Sequence, residues 1–360
     1  MPKRHTKPNS EGSNDADLTF DLSSDTLVRP GKSRGCPGKK PKGWLIPGPQ
    51  SLLELLVYEQ SMVQHMISAL KASGMTSAID NIRKMLEYTV VLTSSFTGLG
   101  TCLRSIVFAH KQLCKSLGID QLSNKIVVYS SWEYDKVCQM VLGQVPESFR
   151  PLHRFPNVLD ALHDVDRSQV DAIMQEAMHE RDALDADLAL KNISKKDHRS
   201  HVHRLGAKLR DRLQVKLRGV EFRSTAWCAQ CEKYCYISPR FHEEYRDSVW
   251  IEIAGPVCKG YSCMGKQYGW LHPSCAGALV WAYRSAFFEP DRIFKENVER
   301  SDEATFNGIF TCNERLQSPF GRTICSTKGA SDETTRYADR QSLIFDVYDL
   351  GYPCSRRRVY

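Results

Sequence analysis

Apolar residues recur at helical spacing between Ser51 and Leu70, at Leu52, Leu55, Leu56, Met62, Val63, Met66, Ile67 and Leu70, and the run stops at Ser73-Gly74. A second helix is expected from Ser77 to Tyr88. The pattern then changes. Val90-Val91-Leu92 is a short, β-branched run, and Ser94-Ser95-Phe96-Thr97-Gly98-Leu99-Gly100-Thr101 follows it as a turn leading into an apolar helix. Strand, glycine-bearing turn and helix form the opening unit of a doubly wound sheet. Ile126 to Tyr129 is a second strand, closing at Trp132-Glu133-Tyr134-Asp135 before a helix from Lys136 to Leu142. Further on come a strand at Val249 to Ile253, a helix at Ala276 to Phe287, a strand at Arg292 to Lys295 and a late element at Ser342 to Val347. The expected fold class is α/β with a doubly wound, mostly parallel sheet.

Between about residues 168 and 245 the rhythm breaks. The stretch begins as an acidic helix and continues as a basic, helix-prone run with Lys195, Lys196, Arg199, Arg204, Lys208, Arg210, Arg212, Lys216 and Arg218. It reads as a charged helical insertion projecting from the sheet, either a solvated helical pair or a grip for phosphates. Residues 1–48 are polar and rich in Ser, Lys, Pro and Gly, the composition of a disordered basic tail. Within them, Lys32-Ser33-Arg34-Gly35-Cys36-Pro37-Gly38-Lys39-Lys40-Pro41-Lys42 looks like a degraded AT-hook with Cys36 in place of its second arginine; a plain basic tail or nuclear address is the alternative. The expected organisation is a tail over 1–48, N-terminal helices over 49–89 and an α/β core over 90–360 that holds the insertion.

Composition narrows this picture only a little. The 360 residues suffice for one large α/β domain with additions, or for two modest ones. Forty-nine Lys and Arg against 42 Asp and Glu leave a formal charge of +7, which suits a phosphate-bearing partner without identifying one. No segment approaches the roughly 18 uncharged apolar residues of a membrane span. Arg284 interrupts the best candidate, around Ala276 to Phe288. The N-terminus lacks the apolar stretch of a signal peptide, so an intracellular, soluble protein is expected. Its 13 cysteines then read as thiols rather than a disulfide framework.

The candidate chemistry gathers at strand ends. A glycine turn lets the backbone approach a ligand closely, and Glu133 at the end of the second strand can accept hydrogen bonds from both hydroxyls of a ribose. The turn has no Walker-type lysine, which favours an adenosine without a polyphosphate: a methyl donor or a dinucleotide. Ala254-Gly255-Pro256-Val257-Cys258-Lys259-Gly260-Tyr261-Ser262 places a thiol in a loop after a strand, beside that cofactor. Lys295-Glu296-Asn297-Val298 brings a carboxyl group to the same edge, and Arg356, Arg357 and Arg358 supply guanidiniums.

In order and spacing these segments resemble the cytosine-5 DNA methyltransferase family, over about residues 90 to 360 without the insertion. Ser95 to Thr101 looks like its Phe-x-Gly-x-Gly motif, Trp132 to Asp135 its second motif, and Phe155-Pro156-Asn157 with Asp164-Val165 its third. Gly255 to Ser262 is similar to its nucleophile loop, Pro290 with Glu296-Asn297-Val298 to its Glu-Asn-Val motif, and Gly351 to Val359 to its Gln-x-Arg-x-Arg motif. The resemblance implies the Rossmann-like fold of S-adenosylmethionine-dependent methyltransferases, a DNA partner and a nuclear location. It implies that Phe96, Gly98, Gly100, Glu133, Tyr134, Asp164 and Val165 surround S-adenosyl-L-methionine, and that Cys258, Glu296, Arg356 and Arg358 carry catalysis on a flipped cytosine.

Val257, Lys259 and Cys354 depart from the family's residues without removing a reacting group. The chain stops at Tyr360, where the family continues into a target-recognition region, so a second chain supplying that function is one expectation. The alternative function is an impaired or split methyltransferase-like protein that binds cofactor or DNA without turnover; methylation of RNA by the same chemistry is a third reading. Cys228-x-x-Cys231-x-x-x-Cys235, with His242 nearby, either holds zinc or flanks the insertion as unligated thiols, and the spacing alone singles out no metal ligand. His272, beside Pro273, reads as a helix-start residue rather than a catalytic base.

Overall fold

The computed structural model describes residues 58–119, 125–256, 260–261, 267–298, 302–311, 344–346 and 357–359. Helices α1 (Tyr58–Ala72) and α2 (Thr76–Leu86) lead into β1 (Val90–Ser95), α3 (Thr101–Leu117), β2 (Ile126–Trp132), α4 (Lys136–Gln144) and β3 (His153–Phe155). Helices α5 (Asp164–Ala189) and α6 (Lys195–Leu217) and the hairpin β4 (Thr225–Cys228) and β5 (Lys233–Tyr236) come next. Then follow β6 (Val249–Ala254), α7 (Ser274–Phe288), β7 (Arg292–Lys295), β8 (Asn297–Val298), α8 (Glu303–Thr311), β9 (Ile344–Asp346) and β10 (Arg357–Val359).

The main sheet has the order β3-β2-β1-β6-β7, and every neighbouring pair is parallel. This is the expected α/β, doubly wound arrangement. The order reverses between β1 and β6, so their carboxyl ends flank a crevice where such folds bind ligands. Period-two alternation divides the sheet's two faces. Val90, Leu92, Val128, Ile251 and Ile253 pack with Leu103 and Val107 of α3. On the other face, α7 lies across the sheet and is buried nearly all round, as expected of a helix without a polar stripe.

One charged pair is sealed under α7. Arg284 and Glu252 have side-chain exposures of 5% and 1% and meet at 2.8 Å. Ser95 Oγ, Trp281 Nε1 and Thr93 Oγ1 also donate to the Glu252 carboxylate, and the guanidinium lies 4.7 Å from the centre of the Trp132 ring. Burial pulls the Arg284 pKa down while Glu252 opposes the shift.

The strands extend beyond their apolar runs. Ser94, Ser95, Ser130 and Ser131 are buried strand residues, which a hydrophobic pattern does not reveal. The expected first helix begins outside the described residues and is seen from Tyr58. The insertion does not simply project from the sheet. Helices α5 and α6 run antiparallel, and Val170, Met174, Val202, Leu205, Leu209, Leu213 and Leu217 join the main core. Leu205, Leu209, Leu213 and Leu217 recur every four residues, a buried stripe concealed in composition by the surrounding charges. Several of those charges are paired across the helices, Arg212 with Glu176 and Lys216 with Asp166, each at 2.7 Å.

Candidate active site at the switch point

After β1 the chain turns sharply. Phe96 and Gly98 have φ 57° and Gly100 has φ 77°. Glycine takes this left-handed region without a steric penalty. Among the described residues, a Cβ on Gly98 would meet nothing within 4 Å, whereas one on Gly100 would lie 2.7 Å from Leu142 Cδ2. Phe96 turns its ring toward α7, with Cε1 3.5 Å from where a Cβ on Gly277 would sit.

The turn is tied to the end of β2. Gly98 N–H donates to Glu133 Oε2 at 2.6 Å, and Asp135 N–H donates to Glu133 Oε1 at 2.9 Å. Thr97 N–H reaches Trp132 O at 3.2 Å. Each Glu133 oxygen retains acceptor capacity after its backbone bond. Beside it, the Tyr134 ring is 80% exposed, and Asp135 caps α4 by accepting from Val137 and Cys138 N–H.

Glu296 stands on the other side of the crevice. Its N–H donates to Ala254 O at 2.8 Å, extending the β6–β7 ladder, while Gly255 N–H donates to Ser95 O at 3.2 Å. Glu296 Oε2 lies 3.5 Å from the position of a Cβ on Gly255, and Phe96 O lies 3.9 Å from that position. The carboxylate therefore sits over the first residue of the cysteine-bearing loop. At the loop's far end, a Cβ on Gly260 would fall 2.4 Å from Gly269 O. Only a glycine allows this backbone-to-backbone approach.

The structure thus brings together Phe96, Gly98, Gly100, Glu133 and Glu296 around one strand-end crevice. Cys258 and Arg356 lie outside the described residues. Arg358 is described through its backbone in β10, which pairs antiparallel with β8 at Arg358↔Val298 and Val359↔Asn297. Asp164 and Val165 are the first two residues of α5. The Asp164 side chain is 91% exposed and bonds Arg223 at 2.6 Å, and Val165 is exposed. His272 stands at the start of α7, where its Nδ1 accepts from Ser274 N–H at 3.2 Å.

Two other thiols lie near this edge. Burial raises the Cys102 thiol, the hydrogen bond from Ser94 and backbone bonds pull it back, and the Glu296 charge adds to the rise. Burial pushes Cys275 up to about 12. Both are poor thiolates at neutral pH.

Sequence reasoning missed a brace behind the loop. Tyr268 Oη donates to Asp185 Oδ2 of α5 at 2.5 Å, and the Arg181 guanidinium lies 5.2 Å from the Tyr268 ring centre. Trp270 Nε1 and Arg210 of α6 both donate to Asp302 Oδ2, at 2.9 and 3.0 Å. The insertion therefore grips the segment that returns from the cysteine loop to α7. The aromatic Tyr268-Gly269-Trp270 is visible in sequence, but nothing there names its partners.

No protein-family model matches this chain, and no curated protein matches it.

Proposed function

We propose that this chain transfers a methyl group from S-adenosyl-L-methionine to carbon 5 of cytosine in DNA, through a covalent adduct with Cys258. The observation that carries this reading is the Glu296 carboxylate over Gly255, at the crevice that also holds the Gly98–Glu133 contact. Cys258 is two residues from Pro256 and two from Gly260, both described. Two residues of chain span at most about 7 Å.

The turn suits an adenosine donor without a polyphosphate. Glu133 offers its remaining lone pairs to ribose hydroxyls, Gly98 leaves open space, and the exposed Tyr134 ring presents a face for adenine. When bound, the donor supplies an electrophilic methyl group. The Cys258 thiolate attacks carbon 6 of a cytosine swung out of the duplex, and Glu296 holds its ring nitrogen and exocyclic amine as charge develops. Carbon 5 would take the methyl group, leaving S-adenosyl-L-homocysteine; its proton would then pass to water as the bond between carbon 6 and the Cys258 sulfur breaks and the thiolate is restored. Arg358, on the strand beside Asn297 and Val298, and Arg356 steady the pyrimidine carbonyl or nearby phosphates.

The test is transfer of label from S-adenosyl-L-methionine to DNA and, in parallel, to RNA. Cys258→Ala should abolish incorporation, and Glu296→Gln should lower it about 10²–10⁴-fold. Equal incorporation by wild type and Cys258→Ala would overturn the mechanism. Calorimetric binding of the donor without turnover on either nucleic acid would replace it with a cofactor-binding role.

A further inference from the structure

Away from the switch point, the fold gathers four groups that are scattered in sequence. β3 supplies His153, and the β4–β5 hairpin supplies Cys228 at the end of β4, Cys231 in the turn and Cys235 in β5. One ligand atom from each lies within 4.8 Å of all the others. His153 Nδ1 is 3.8 Å from Cys228 Sγ and 3.5 Å from Cys231 Sγ. Around a tetrahedral zinc ion, with Zn–S about 2.3 Å and Zn–N about 2.0–2.1 Å, sulfur and nitrogen stand about 3.6 Å apart. The observed separations match that edge.

We infer that His153, Cys228, Cys231 and Cys235 form a structural zinc site, with three thiolates and the imidazole Nδ1 as its four ligands. Cys228 and Cys231 have the two-residue spacing of a zinc knuckle, and their turn is shaped accordingly. Glu232 adopts φ 52°, and its N–H closes onto Cys228 O at 2.9 Å. Arg154 N–H points at Cys228 Sγ from 3.3 Å, a bond that strengthens when the sulfur is a thiolate. A disulfide could join only two of the three sulfurs and would leave His153 unexplained.

The sequence showed the three thiols and pointed to His242. Instead His242 stacks behind His153, ring centres 6.2 Å apart and planes at 20°. The fourth ligand is on β3, an edge strand of the main sheet. Ala229 N–H also donates to Arg154 O at 2.8 Å, so the hairpin covers that edge. The ion would fasten the end of the insertion to the sheet, independently of methyl transfer.

The full-length chain, purified without chelator, should carry about one zinc per molecule by elemental mass spectrometry. Cys228→Ser and His153→Ala should lose the metal, while His153→Cys and Cys138→Ser should keep it. If the ligand variants do not fold, cobalt titration of the metal-stripped wild-type chain decides: intense sulfur-to-cobalt absorption with tetrahedral ligand-field bands, displaced by zinc, supports the site. A folded wild-type chain without stoichiometric zinc and without that cobalt spectrum would overturn the proposal. So would a Cys228–Cys231 disulfide found by mass spectrometry in the freshly purified protein.

Discussion

Glu133 has two backbone N–H groups directed at its carboxylate. Glu133→Ala leaves both without that partner and frees the glycine turn. If the proposed donor binds at this turn, the expected result is about a 10- to 100-fold loss of its affinity, equivalent to about 1.4–2.7 kcal/mol, measured by calorimetry, with the unfolding midpoint changed much less. Arg284→Met should act differently. It strips the counter-charge from buried Glu252 and should cost about 3–5 kcal/mol of stability in denaturant titration; a loss below about 1 kcal/mol would refute the sealed pair. His110 supplies a pH dependence. It is buried, its Nε2 has no hydrogen-bond partner among the described residues, and burial followed by the Lys111 charge lowers its pKa from 6.5. The unfolded chain then binds the proton first, so stability is full above pH 6.5 and declines as pH falls toward the folded value. His110→Leu should flatten that part of the stability–pH curve.

At the scale of elements, the insertion and the cysteine loop share a brace. Tyr268→Phe removes one charge-assisted bond to Asp185 and should cost about 1–2 kcal/mol, with hydrogen exchange rising first in the 267–272 segment. Gly260→Ala forces a Cβ against Gly269 O and should cost about 1–3 kcal/mol. If the proposed nucleophile depends on this loop, kcat falls more than KM rises. The leucine stripe of α6 was legible at its four-residue spacing, but its destination was not. The same residues could have lined a free helical pair, and only their packing against α7 and the 269–271 turn settles the matter. Strand β3 escaped sequence reasoning for another reason: three residues are too few to show a period.

For the whole molecule, charge and topology set the expectations. Among the described residues, no helix is long and apolar enough to cross a membrane. The exposed Lys195, Lys196 and Arg199 begin α6, whereas Arg210, Arg212 and Lys216 further along it are held by carboxylates. If the insertion meets DNA phosphates, it should do so through its first turns. Replacing Lys195, Lys196 and Arg199 by Glu should then weaken binding uniformly across sequences and reduce the slope of log affinity against log salt, by about 0.9 for each phosphate left unneutralised. An unchanged slope in a fluorescence-anisotropy salt titration would remove the insertion from the interface.

The sequence alone determined the doubly wound class, the succession β1, α3, β2, α4 and later β6, α7, β7, and the placing of Gly98, Glu133 and Glu296 at strand ends, because periodicity and turn chemistry are local properties of a chain. Only the tertiary structure paired Arg284 with Glu252, set α5 and α6 behind the returning loop, and carried His153 to three cysteines 75 to 82 residues away. Those pairings join segments distant along the chain. Which partner each side chain meets depends on how the sheet is wound, and no local pattern encodes it.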